Sequence, residues 1–173
     1  MKVEHTTELS APPEAIIEYM LSPAYAEALV EAIDAVEAIE EVSRQAHESG
    51  RVLERVMRYT APTAGKIPKF LKKYEDRAPD EVHWEQRERW DRERGRMSYE
   101  IEAEIKPDWQ RYYDTRGELE LTPQGTGTKL AATLSYDVNV FGLGRVIERA
   151  LRAEVERILE TQAEVTRRHL AAR

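Results

Sequence analysis

The chain contains no cysteine, which excludes disulfides and thiolate-held metals and makes a reducing cytoplasm the expected compartment. No stretch approaches the roughly 18 consecutive apolar residues of a membrane-spanning helix. The opening MKVEHTTELS carries charge where a secretory leader would carry an apolar core, so no leader is expected. Positive charge is scarce at the start: residues 1–50 hold eleven acidic side chains against only Lys2 and Arg44. Nucleic-acid binding needs a basic footprint, so that partner is excluded from the expectation, and the acidic third is read as a solvated face. The four histidines (His5, His47, His83, His169) have no metal-ligand spacing, and no Gly-x-Ser-x-Gly elbow surrounds Ser98 or Ser135. Gly-Thr-Gly-Thr-Lys at 125–129 lacks the full spacing of a phosphate loop and reads as a turn. There is no repeat, low-complexity tract or linker, and residues 1–173 are read as one domain.

Glycine and proline are sparse, at eight each, and fall mostly between periodic runs, so they punctuate the chain. Val3, His5, Thr7 and Leu9 alternate with polar residues and predict an opening strand. Ser10 before Pro12-Pro13-Glu14 predicts a capped short helix, and Ser22-Pro23 starts a second. From about Asp34 the period becomes two. Strands are predicted at 36–44, 51–60, 81–91, 97–105, 109–121 and 128–140, with turns at Ser49-Gly50, Gly95, Pro107-Asp108 and Pro123 to Gly127. The charged run Glu85 to Arg96 alternates in sign and reads as cross-strand pairing on an outer face. After Phe141-Gly142-Leu143-Gly144 no glycine or proline occurs. Ile147, Leu151, Val155, Ile158, Gln162, Val165 and His169 then mark one face of a helix roughly 40 Å long. The expected fold is α+β: a curved antiparallel sheet of about seven strands over a long C-terminal helix, with two short helices after the first strand.

That element order resembles the helix-grip fold of the START-like superfamily, which includes birch-pollen-allergen-like proteins and polyketide cyclases. More narrowly, it resembles an uncharacterised bacterial family within it. The resemblance rests on Ala11-Pro12 after the opening strand, the Ile67-Pro68-Lys69-Phe70 segment, Trp84 and Trp90 with their charged neighbours, and the turn from Phe141 to Glu148. Phe141 stands where a proline is common in that pattern. The resemblance implies a cavity between sheet and helix, and no particular ligand.

Phase along the strands predicts the inward residues. Trp84, Glu88, Trp90, Tyr99, Trp109, Arg111, Tyr113 and Tyr136, with Gln162 on the helix, are the candidate ligand-binding wall; the alternative is a filled core. Glu88 and Arg111 share that phase, so facing inward they must pair or meet a wet cavity, whereas a bulge would turn both to solvent. Ile67, Phe70 and Leu71 sit among Lys66, Lys69, Lys72 and Lys73. They form a lid or a contact with an anionic membrane, or else a loop that tucks Phe70 into the core. The expected function is non-catalytic binding or transport of a small hydrophobic or amphipathic molecule, lipid or polyketide-like, with no cofactor and no metal. The alternatives are a cyclase- or hydratase-type enzyme using Glu88, Tyr99, Arg111 or Tyr136, and a protein-interaction module using the acidic third.

Overall fold

The computed structural model describes residues 1–62, 80–104, 113–138 and 144–172. The Lys66–Tyr74 segment with Ile67, Phe70 and Leu71, the residues Trp109 and Arg111, and the turn at 141–143 lie outside the described residues, as does the Tyr113 side chain.

Among the described residues seven strands form one antiparallel sheet: β1 (Lys2–Leu9), β2 (Ala38–His47), β3 (Val52–Pro62), β4 (Glu81–Asp91), β5 (Arg96–Ala103), β6 (Tyr113–Gln124) and β7 (Gly127–Val138). Their order is β1-β7-β6-β5-β4-β3-β2. The strands from β2 to β7 therefore form a meander, and β1 adds itself beside β7. Two short helices, α1 (Pro13–Met20) and α2 (Pro23–Ala32), carry the chain from the β1 edge to the β2 edge. The long helix α3 (Gly144–Ala171) packs on β1, β7, α1 and α2. This is the predicted helix-grip arrangement, with the core between the sheet and the three helices. Ile16 and Ile17 of α1, Leu29 of α2, Trp90 of β4 and Leu121 of β6 are buried there. Full burial of one such side chain contributes about 1.5–3 kcal/mol.

Most strand boundaries follow the alternation. β4 spans the residues predicted, and the β6–β7 hairpin turns through Gly125 and Thr126, where Gly125 takes φ 61°. Gly95, between β4 and β5, takes φ 62°, and a side chain there would meet the Leu121 carbonyl oxygen at 2.7 Å. β2 departs from the simple pattern. A bulge between Glu41 and Ser43 shifts its register on β3 and leaves Val42 51% exposed. As an outermost strand it carries the bulge and its charges where they oppose edge-to-edge pairing.

The helix start also differs from the expectation. Pro12, not Ser10, is the N-cap of α1, with no side-chain cap. Pro13 opens the helix with φ preset and no N–H of its own to satisfy, so the serine hydroxyl is dispensable. The other end of α1 is held from the sheet. Its last turn has no basic residue. Instead the Ser22 hydroxyl donates to the Tyr19 carbonyl at 2.7 Å, Arg55 Nη2 donates to the Met20 carbonyl at 3.0 Å, and Arg44 Nη2 donates to the Leu21 carbonyl at 2.7 Å. Two strand arginines thus satisfy carbonyls that a helix end leaves without partners. At the far end of α3, the His169 ring stacks on Tyr19 of α1 with centroids 3.6 Å apart. No helix among the described residues is long and apolar enough to cross a membrane.

Candidate functional site

Alternation puts Gln86, Glu88 and Trp90 on one face of β4, and the β3–β4 register sets Arg55 directly opposite Glu88. Glu88 is 4% exposed and Arg55 6%. The Glu88 carboxylate accepts three hydrogen bonds: from Arg55 Nε at 2.6 Å, from Trp90 Nε1 at 2.7 Å and from Gln86 Nε2 at 2.8 Å. Desolvating two ions costs several kcal/mol each, and this pair is tolerated because the carboxylate is surrounded by donors. Beyond Arg55 the charges continue to alternate. Its Nη1 lies 3.8 Å from Glu41 Oε2, and Glu41 in turn accepts from Arg44 at 2.6 Å.

The pair forms part of the wall of an interior cavity of about 40 Å³. That is room for roughly three or four water molecules, at about 10–15 Å³ for each. Tyr25 and Leu29 of α2, Tyr59 of β3, Tyr99 of β5 and Gln162 of α3 supply other parts of the wall. So do Met20, Met57 and Met97, three of the four methionines in the chain. Burial pushes the phenols of Tyr25, Tyr59 and Tyr99 well above their ordinary value, and the Glu88 carboxylate pushes each further in the same direction. All three are therefore neutral at physiological pH and act as hydrogen-bonding groups. Tyr99 lies across Gly117, its register partner on β6, and a Cβ at that glycine would fall within the tyrosine ring. The absence of a side chain at Gly117 is what lets Tyr99 lie flat against the sheet.

The predicted wall is assembled in part. Glu88, Trp90, Tyr99 and Gln162 converge on the cavity. Trp84 stands behind it, stacked on Tyr59 with centroids 5.2 Å apart. Tyr136 is buried elsewhere, where its hydroxyl donates to Met1 Sδ at 3.5 Å and its carbonyl accepts the N-terminal ammonium. It does not line the cavity. Among the described residues the partner of Glu88 is Arg55, and no bulge turns Glu88 outward; Arg111 lies outside the described residues. Arg55, Tyr25 and Tyr59 were missed. The signal for Arg55 was present: Leu53, Arg55, Met57 and Tyr59 alternate in phase, and a lone arginine among apolar neighbours carries the same message as Glu88.

The outer face of the sheet has a second, open depression of about 500 Å³, lined by Arg87, Arg89, Arg116, Glu54 and Glu100 among others. Its arginines pair with neighbouring acids: Arg87 with Glu102 at 3.3 Å, Arg116 with Asp114 at 3.1 Å, and Arg89 with Glu54. The Arg87 and Arg89 pairs are the cross-strand pairing expected for the Glu85–Arg96 run, and Arg116–Asp114 is a pair within β6. Each exposed pair is worth about 0–1 kcal/mol.

Solved structures share the fold. TTHA0849 from Thermus thermophilus is 20% identical, with TM-score 0.70, over 99% of this chain and 98% of that one. The Zhui aromatase/cyclase from a Streptomyces species is 19% identical, with TM-score 0.61, over 99% and 97%. A START superfamily protein from Mycobacterium smegmatis is 12% identical, with TM-score 0.60, over 95% and 96%. At these identities the likeness is one of fold. No curated protein matches the chain. The family described as "Protein of unknown function (DUF2505)" matches residues 4–170, nearly the whole length. By that match the chain belongs to the DUF2505 family, and its architecture is the START-like helix grip.

Proposed function

We propose that the protein binds a small amphipathic molecule non-covalently between the sheet and α3. Its apolar body would lie against Met57, Tyr59 and Tyr99, and its polar end would face the Arg55–Glu88 pair. The observation that carries this reading is the buried, hydrogen-bonded charge pair in the wall of a cavity whose other lining is mostly aromatic, thioether and aliphatic, with a few neutral polar groups. Pockets that orient a ligand combine an apolar wall with a few fixed polar groups in this way. The 40 Å³ volume is smaller than any lipid, so binding requires the wall to yield. Met20, Met57 and Met97 supply that compliance, because methionine is unbranched and repacks at low cost. The fold-level likeness to an aromatase/cyclase and a START protein is consistent with an interior that admits an organic molecule. The absence of cysteine favours a cytoplasmic setting.

A cyclase-type activity has weaker support. Both Glu88 oxygens already accept hydrogen bonds, and burial drives the neighbouring phenols away from the range useful for a base near neutrality.

Native mass spectrometry of the protein purified from its own host, without denaturation, tests the binding reading. A non-covalent adduct of small-molecule mass is expected, lost on unfolding and reduced in a Met57→Trp variant that fills the cavity. Protein that carries no adduct, and that takes up none of a panel of lipids and aromatic polyketides, would end it.

A further inference from the structure

We infer that the interior site takes an uncharged ligand, with a hydroxyl or carbonyl head on an apolar body, and rejects carboxylates and ammoniums, because Arg55 and Glu88 already neutralise each other in its wall. This rests on the binding reading above and adds the chemistry of the head group.

The argument is one of charge balance. Arg55 and Glu88 are nearly fully buried and joined at 2.6 Å. Behind them Glu41 and Arg44 form a second balanced pair at 2.6 Å. Among the described residues the other charged residue of the wall is Glu118, which is exposed. The remaining polar wall groups are the phenols of Tyr25, Tyr59 and Tyr99, the amides of Gln86 and Gln162 and the hydroxyl of Ser22. Phenols, amides and hydroxyls both donate and accept while carrying no charge.

A ligand hydroxyl or carbonyl can therefore find a partner without disturbing the ion pair. A carboxylate has to draw Arg55 away from Glu88, and an ammonium has to draw Glu88 away from Arg55. Either leaves one buried ion without its counter-ion, in a cavity whose small volume the ligand itself has filled. In the wild type this predicts at least about a tenfold preference for the neutral ligand, well within what a cost of several kcal/mol implies.

The test is a matched series with one alkyl chain: 1-decanol, decanoate and decylammonium, each titrated at neutral pH by calorimetry. The expected order places decanol first, with both ions at least about tenfold weaker. Glu88→Gln leaves Arg55 without its counter-ion and is expected to move decanoate to first place. Arg55→Met leaves Glu88 exposed to the ligand and is expected to favour decylammonium. A purely structural role for the pair would weaken all three ligands together and leave their order unchanged. Decanoate or decylammonium binding the wild type as tightly as decanol would overturn the inference while leaving the binding reading intact. So would variants that fold, by circular dichroism, and keep the wild-type order. Should either variant fail to fold, the wild-type order decides alone. Binding of none of the three would remove the underlying reading, and the inference with it.

Discussion

Arg55 has three commitments: the Glu88 carboxylate at 2.6 Å, the Met20 carbonyl at 3.0 Å and, more loosely, Glu41. Truncating one member of a buried ion pair strands the other, so Arg55→Met is expected to lower unfolding free energy by about 3–5 kcal/mol. Adding Glu88→Gln should recover part of that loss, because the remaining group is then neutral and still accepts from Trp90. Urea denaturation of the two single variants and the double variant measures the coupling. A double variant as unstable as the sum of the singles would show that the two side chains act independently. Glu88 and Arg55 also mark how far residues could be read in advance. Each was legible as a charge on an inward phase. Their partnership was not, because β3 and β4 are joined by a long connection rather than a tight turn, and only a tight turn lets the sequence align two strands residue for residue.

Among the elements, β4, β6 and β7 were legible because their alternation is clean and glycine marks their turns. β2 was only partly so. Its alternation breaks at the Glu41/Ser43 bulge, which no single residue type announces, and the expected inward phase dissolves there. The long helix was the most readable element, since 3.6-residue periodicity accumulates over 28 residues. The short helix α1 was found, yet its fastening was not: its C-terminal carbonyls are satisfied by arginines 23 and 35 residues away. Arg44→Ala removes one of these, and Arg44 is partly exposed. A loss of about 1.5 kcal/mol is expected, in the lower part of the range for a hydrogen bond from a charged donor. Hydrogen exchange localises the effect, with faster exchange at the α1–α2 junction than in the central strands. Uniform acceleration across the sheet would show that Arg44 acts through β2 and not through the helix.

For the molecule as a whole, the burial of tyrosine makes a prediction about alkali. Tyr25, Tyr59 and Tyr99 have phenols raised by desolvation and by the Glu88 carboxylate. In the unfolded chain they ionise near pH 10. The folded state therefore binds more protons above that pH. The stability these phenols contribute is fully present below about pH 10 and is lost as pH rises toward their folded values. The tyrosinate absorbance of the native protein is expected to rise for the exposed tyrosines first. These three, of eight in the chain, should ionise only as the protein unfolds. Smooth titration of all eight before any loss of circular dichroism would contradict their placement. At this scale the architecture was readable from element order alone. The cavity was not, because its size depends on how Met20, Met57, Met97 and Tyr99 settle against one another, which phase does not encode.

Arg55 is at once a brick in the inner wall and the clasp on the last turn of α1. A guanidinium cannot slide toward a guest without releasing the Met20 carbonyl, so crowding inside the protein would be felt at the bend where the two short helices meet, 35 residues from the arginine in sequence. The elbow at Leu21–Ser22 is thereby tied to the charge pair in the inner wall, and its looseness becomes an outward gauge of what happens within.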